Sequence, residues 1–259
     1  MRLIKPYYEI ITPIHGEEIL KQIELAARSC YRSEDKIEYE EEQFTDDIHQ
    51  VVVGTYLKNA KSAKKLIKNV LMAKGHNAML EFGGMITVKF ICDRGVSHEL
   101  VRHRLCSFAQ ESTRFCNYTD DKFSNGEITF IIPNWLDIPE GKYAWWDGDY
   151  CDVSEMKIMV SKEQMKKDTK LNSFLVALEQ CESAYKIMVN TGWTPQQART
   201  ILPNALKTEI NMSANIREWR EIFKQRISNA AHPSMRELMR PLLAEFQERI
   251  PILFDDITY

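Results

Sequence analysis

Apolar positions recur along this chain with two periods, and the switches between them outline a mixed α+β protein. Residues 3–12 are rich in aromatic and β-branched side chains and close at Pro13, which predicts an edge strand. From Gly16 to Cys30 the period becomes helical, with Ile19, Ile23, Ala26/Ala27 and Cys30 on one face. A second amphipathic helix is predicted over Tyr56–Lys74, with Lys58, Lys61, Lys64, Lys65 and Lys68 on its outer face. Gly75 fits the left-handed position that ends such a helix. His76 then lies on the turn into an apolar strand, Met85–Ile91. Further on, the pattern predicts a helix over Gly95–Phe108, a strand over Glu127–Ile132 and a long helix over Leu171–Asn190. Pro195 suits the first position of another helix, and Leu206–Ala214 alternates as a strand does. Asn215, with Glu218 three residues later, reads as the cap of a helix over Ile216–Asn229 that buries Ile216, Trp219, Phe223 and Ile227. The last helix, over 233–250, is expected to break at Pro241.

Two stretches depart from this periodicity. Residues 32–55 are acidic, with a Glu40–Glu42 run, and predict a surface excursion. Residues 134–168 hold Trp135, Pro139, Trp145 and Trp146 among acidic positions and predict an extended loop or lid. No repeat or linker divides the chain. The expectation is a single domain, 1–259, with a central, mostly antiparallel sheet flanked by helices.

Composition narrows the function classes. None of the 259 residues lies in an apolar run long enough for a transmembrane helix. The N-terminus lacks the apolar core and cleavage site of a secretory signal, so a cytoplasmic location is expected. Six cysteines occur without a C-x-x-C pair, which predicts reduced thiols, no disulfide framework and no metal centre. A net charge of −3 argues against a general nucleic-acid binder and leaves anion binding to local arginine clusters.

One such cluster dominates. Arg102 to Arg114 holds three arginines, one histidine and three hydroxyl side chains. The guanidinium fork matches phosphate and carboxylate geometry. On a straight helix, Arg102 and Arg104 would fan over about 200° and could not share a small ligand. Either the helix ends near Arg104, or the arginines serve different ligands, or a second subunit shares the site. A solvated, ion-paired face is the competing reading, as is a salt-sensitive nucleic-acid surface.

The run Arg102-His103-Arg104, seven residues, then Ser112 resembles the signature of the flavin-dependent thymidylate synthases. Ala26-Ala27-Arg28-Ser29-Cys30, Gly75-His76 with Glu81, Ala198-Arg199-x-x-Leu202-Pro203, and Asn215-x-Arg217 with Arg226 resemble further segments of that family, in order. The resemblance implies methylation of dUMP to dTMP with methylenetetrahydrofolate, FAD and NADPH, in a homotetramer with sites shared between subunits; a different flavin reaction on a nucleotide is the alternative. It implies FAD contacts from Cys30, His76, Arg102, His103, Arg104, Leu105, Gln110, Asn215, Arg217, Glu221 and Gln225. For dUMP it implies Glu99, Arg102, Gln110, Ser112, Thr113, Arg114, Arg199 and Arg226. Arg226, His76 and Ser112 are the catalytic candidates, with Ser112 read as a positioning donor because no base adjoins it in sequence. Ala109-Gln110 stands where the family commonly has Asn-Glu, Phe82 replaces a frequent histidine, and Glu221 stands where an amide is often found. Glu221 is free by spacing to pair with Arg217 at i,i+4.

Overall fold

Pro6 divides the first predicted strand. It has no N–H to give to a ladder, and the chain forms β1 (Arg2–Ile4) before it and β2 (Tyr7–Ile10) after it, in different sheets. The computed structural model describes residues 1–37, 39–45, 51–57, 60–120 and 126–259, the side chains of 39–45 and 51–57 excepted. In order come α1 (Gly16–Tyr31), β3 (Tyr39–Thr45), β4 (Val51–Leu57), α2 (Lys61–Leu66) and a π-helical turn over Ile67–Met72. Next are a 3₁₀ segment (Asn77–Gly83), β5 (Met85–Asp93), α3 (Arg94–Leu100), β6 (Cys106–Gln110) and β7 (Thr129–Ile131). The remainder comprises β8 (Gly141–Lys142), β9 (Ala144–Trp146), β10 (Asp149–Asp152), β11 (Lys157–Val160), α4 (Lys162–Lys167) and α5 (Thr169–Asn190). It ends with α6 (Pro195–Ala198), β12 (Lys207–Asn215), α7 (Ile216–Arg226) and α8 (Pro233–Arg249).

The fold is α+β. A four-stranded sheet has the order β2-β5-β12-β6, β1 lies between β7 and β8, β10 lies between β9 and β11, and β3 pairs with β4. The chain gathers into two compact units and passes between them within β2, β5, β12 and α8 and once more between α7 and α8. The first comprises residues 1–9, 88–212 and 232–238, and its core includes Leu3, Phe130, Tyr143, Tyr150, Leu175 and Tyr185. The second comprises residues 10–87, 213–231 and 239–259. There Trp219, Phe223, Phe246 and Phe254 form an aromatic cluster with ring centroids 5.2–5.7 Å apart, the three phenylalanines edge-to-face and Trp219 tilted against Phe223 and Phe246.

Several expectations are corrected. The second helix begins at Lys61, not Tyr56, because Tyr56 and Leu57 continue β4; Lys58 lies outside the described residues. The acidic 32–55 stretch holds the β3–β4 hairpin, with Tyr39 opposite Leu57 and Thr45 opposite Val51; the side chains of its Glu40–Glu42 run also lie outside the described residues. Cys30 is exposed rather than on the buried face of α1, whose inward residues are Ile19, Leu20, Ile23, Glu24 and Ala27. The helix predicted over Gly95–Phe108 stops at Leu100, and Phe108 lies in a strand. The 134–168 stretch is no irregular loop but carries four short strands and a helix. Asp147 and Gly148, both at positive φ (47° and 89°), make the two-residue turn that joins β9 to β10. Pro241 does not break α8, since Met239, Leu242, Leu243 and Phe246 around it stay buried and hold the helix to the core.

Gly75, with φ +71°, closes the helical stretch as its spacing predicts, and the His76 N–H reaches back to the Leu71 carbonyl at 2.8 Å. Gly83 sets how closely the 3₁₀ segment can approach its neighbours. A Cβ there would meet Ile216 Cγ1 at 2.7 Å and Ile19 Cγ2 at 3.1 Å, so only glycine lets the segment pack on α1 and α7. Gly83→Ala is expected to destabilise the protein by about 1–3 kcal/mol, read as a lowered urea midpoint at unchanged slope.

Candidate functional site

In the first unit, the arginine motif sits where a helix hands over to a strand. Asp93 caps α3 by accepting from the Val96 N–H at 2.8 Å. The N–H groups of Arg102 and His103 close the helix on Glu99 and Leu100 carbonyls at 3.3 and 3.1 Å. Arg102, Arg104 and Leu105 are therefore exposed on a turn, while His103 is buried and Glu99 is half-buried on α3. The first of the three alternatives for the arginine fan holds: the helix ends before them.

Strand β6 then sends alternate side chains to opposite faces. On one, the Gln110 amide donates to Ser97 Oγ at 2.9 Å and to Thr208 Oγ1 at 3.2 Å, and Arg94 donates to the same Thr208 oxygen at 3.3 Å. On the other, Glu111 accepts from the Tyr118 hydroxyl at 2.7 Å and pairs with Lys207 at 3.1 Å. Lys207 also pairs with Glu209 at 2.6 Å, and Glu209 with Lys89 at 2.5 Å, which makes a ladder of alternating charge. Burial pushes the Glu209 carboxyl up, but the hydrogen bonds and charges of Lys207 and Lys89 outweigh it and hold it below the usual range. Burial likewise lowers Lys207, and its two carboxylate partners outweigh that and raise it.

Past β6 the chain turns at Ser112, whose hydroxyl accepts from the Arg114 N–H at 3.3 Å. Buried Thr113 accepts from Arg199 Nη1 at 3.3 Å, and the Arg114 guanidinium donates to Gln196 at 2.9 Å. The turn is thus docked on the α6 region, where Thr194 and Gln197 form a capping box with Pro195 at the first helical position. The structure brings together Gln110, Ser112, Thr113, Arg114 and Arg199 around this turn. The sequence reading missed Gln196, Ser97, Arg94 and Thr208. Only Gln196 left a signal, one helical turn before Arg199.

In the second unit, His76 Nδ1 lies 2.5 Å from the Tyr31 hydroxyl, with the rings stacked at 6.0 Å and 25°. Cys30 lies beside them, its sulfur 3.8 Å from Met79 Sδ. Arg28 turns inward, where it pairs with buried Glu24 at 2.9 Å while Ser62 bonds both. Asn215 caps α7 by accepting from the Glu218 N–H at 2.9 Å. Arg217 pairs with Glu81 at 2.6 Å, not with Glu221, which pairs with Lys224 at 2.9 Å instead. Gln225 is exposed and Arg226 half-buried at the end of α7. Among the described residues, no cluster of three or more His, Cys, Asp or Glu could hold a metal, and no helix is long and apolar enough to cross a membrane. Burial raises the thiols of Cys92, Cys116 and Cys181, so none of these three is an activated nucleophile.

The family model described as thymidylate synthase complementing protein matches residues 14–252. The chain belongs to this family. Among curated relatives, the flavin-dependent thymidylate synthase of Corynebacterium efficiens is 26% identical over 95% of this chain and 81% of its own length. That of Pyrococcus furiosus is 29% identical over 69% of this chain, and the match spans 61% of the archaeal protein. The fold agrees with two solved structures. The UMP/dUMP methylase PolB from Streptomyces cacaoi, bound with 5-Br dUMP, aligns at TM-score 0.66 and 17% identity over 98% of this chain and 96% of that one. Thymidylate synthase X from Helicobacter pylori, with FAD and dUMP, aligns at 0.59 and 19% over 97% and 98%.

The charge ladder behind the family motif has a pH signature. Because the Glu209 carboxyl is held low in the folded state, its stabilisation is complete above the unfolded value and is lost as pH falls through the folded one. Lys207→Gln should therefore lower the melting temperature at pH 7, and the gap from wild type should close as pH falls below about 4. A gap that stays constant down to pH 3 would show that the ladder's charges do not contribute.

Proposed function

We propose that this chain catalyses the reductive methylation of dUMP to dTMP, with methylenetetrahydrofolate as carbon donor, FAD as hydride carrier and NADPH as reductant. The observation that carries the reading is the hydrogen bond from Arg199 to Thr113 across 86 residues of sequence. It joins the turn after the R-H-R-x7-S motif to the A-R-x-x-L-P segment, the two stretches that resemble the family's nucleotide grip. The names of the relatives support it, as do the FAD and dUMP bound to the Helicobacter pylori protein.

Ser112, Thr113, Arg114 and Arg199 grip dUMP, with Glu99, Arg102 and Gln110 beside them. Guanidinium groups and hydroxyls on a rigid turn suit a phosphate monoester. Ser112 positions rather than attacks, since its hydroxyl accepts a backbone N–H and, among the described residues, no imidazole or carboxylate is hydrogen-bonded to it. Arg226 polarises the uracil carbonyl, where negative charge develops.

The side chains present also fit a flavin. The stacked His76–Tyr31 pair offers a flat, solvent-facing aromatic surface for an isoalloxazine, and the exposed guanidinium groups of Arg102, Arg104 and Arg217 suit a diphosphate. His103, Leu105, Gln110, Cys30, Asn215, Glu221 and Gln225 complete that set. Bound FAD supplies the hydride chemistry; the protein supplies binding, orientation and electrostatics. The working form is a cytoplasmic homotetramer whose subunits share each site.

Tritium release from 5-tritiated dUMP, assayed with methylenetetrahydrofolate and FAD, should require NADPH; no release with all components present would remove the reading. Arg199→Ala should weaken dUMP binding by about tenfold or more while FAD affinity stays within about twofold. Equal loss of both ligands would contradict separate roles.

A further inference from the structure

Tyr31 and His76 both belong to the second unit and meet at two helix ends, each closed by its own backbone. Tyr31 is the last residue of α1, and the chain turns beyond it through Arg32 at φ 47°. There the Arg32 and Ser33 N–H groups reach back to the Ser29 and Arg28 carbonyls at 3.3 and 3.1 Å. His76 follows Gly75, its N–H bonded to the Leu71 carbonyl at 2.8 Å and its own carbonyl accepting from the Met79 N–H at 3.4 Å. Two independently anchored backbones thus bring two exposed side chains together across 45 residues of sequence.

The contact between them has a direction. With 2.5 Å between the Tyr31 hydroxyl and His76 Nδ1, ring centroids 6.0 Å apart and 25° between the planes, the rings meet rim to rim and make one shelf. A neutral imidazole carries one proton on one of its two nitrogens, and the hydrogen bond made by the other nitrogen decides which. A phenol O–H is more acidic than a neutral imidazole N–H, and an imidazole lone pair is more basic than a phenol oxygen. Tyr31 therefore donates to Nδ1, and the His76 proton stays on Nε2, on the side of the ring away from Tyr31.

We propose that Tyr31 is the positioning residue of His76: its hydroxyl fixes the plane of the imidazole and holds it in the Nε2–H form. The ring then offers a bound ligand a donor and no lone pair, so it takes a carbonyl or phosphate oxygen and refuses an N–H group at the same place. The inference rests on the proposal that His76 borders a flavin, and adds which atom makes the contact and what sets it.

Imidazole nitrogen spectra of protein labelled with 15N-histidine test it, recorded without and with FAD at about pH 9, where an ordinary imidazole is neutral. The His76 signals are those lost in His76→Gln. The expected wild-type spectrum, already without FAD, has an unprotonated Nδ1 and a protonated Nε2. In Tyr31→Phe, which keeps the ring and drops the hydroxyl, the two signals move toward each other as the tautomers exchange. FAD should bind Tyr31→Phe about five- to tenfold more weakly at unchanged melting temperature, a loss the size of one hydrogen bond. In a His76→Gln background the same substitution should change FAD affinity by less than about twofold. A wild-type proton on Nδ1, or shared between the nitrogens, overturns the proposal, as does an equal loss of FAD affinity in both backgrounds. Failure of the wild type to bind FAD removes the flavin reading alone, and the FAD-free spectrum then upholds or overturns the tautomer by itself.

Discussion

The register of β6 against β12 is the constraint on which the part of this protein that carries the R-H-R-x7-S motif depends. The Glu111 N–H bonds the Glu209 carbonyl at 2.9 Å, and that bond decides which face each neighbour takes. With it, Gln110 meets Thr208 and Ser97 while Glu111 meets Lys207 and Tyr118. A slip of one residue would exchange the faces, bringing a carboxylate against the Arg94 network and an amide against the lysine. The charge ladder opposes that slip, because it forms in one register alone. What the ladder holds, the next turn inherits: Ser112, Thr113 and Arg114 leave the strand end aimed at Gln196 and Arg199.

Much of this was legible in the sequence, for identifiable reasons. Helices with a strong apolar face, such as α1 and α7, were read to within a few residues because burial and period agree. Asn215 and Pro195 announced two helix starts through side-chain chemistry that acts locally. The family was legible because arginine, histidine and hydroxyl side chains fall at a spacing that resembles its signature. The errors have local causes too. Leu105, Phe108 and the arginines look helical by composition, but the α3 helix stops at Leu100, and β pairing with a distant strand overrides propensity. The 134–168 stretch hid its strands because each is two to four residues long, below the length at which alternation can be recognised. Its Asp147-Gly148 turn was the signal available, a dipeptide that commonly joins paired strands.

The second unit shows that a motif arginine need not serve a ligand. Arg28 lies in the segment that resembles the family's early A-A-R, yet its guanidinium is spent on Glu24, which is 1% exposed, and on Ser62. A buried carboxylate without that partner would be costly, so the pair fixes α1 to the start of α2. Its consequence for the site is indirect, since α1 ends at Tyr31, whose hydroxyl holds His76. Arg217 is different. It is about half exposed, and its partner Glu81 is too, so this pair is weakly held and the guanidinium can be recruited by an anion.

Gln110 is one position where this chain departs from the commoner family pattern, and its hydrogen bonds show what an amide can do there. Ser97 Oγ donates to the Arg94 carbonyl at 3.0 Å, so it can only accept from Gln110. Thr208 Oγ1 accepts from both Arg94 and Gln110. Both amide protons are thereby committed to the protein, and the side-chain carbonyl is what remains to accept from a ligand. A carboxylate would offer the same acceptor with a full negative charge. The amide keeps the acceptor and drops the charge, so beside the dUMP proposed above it would remove a repulsion that the nearby arginines would otherwise have to offset.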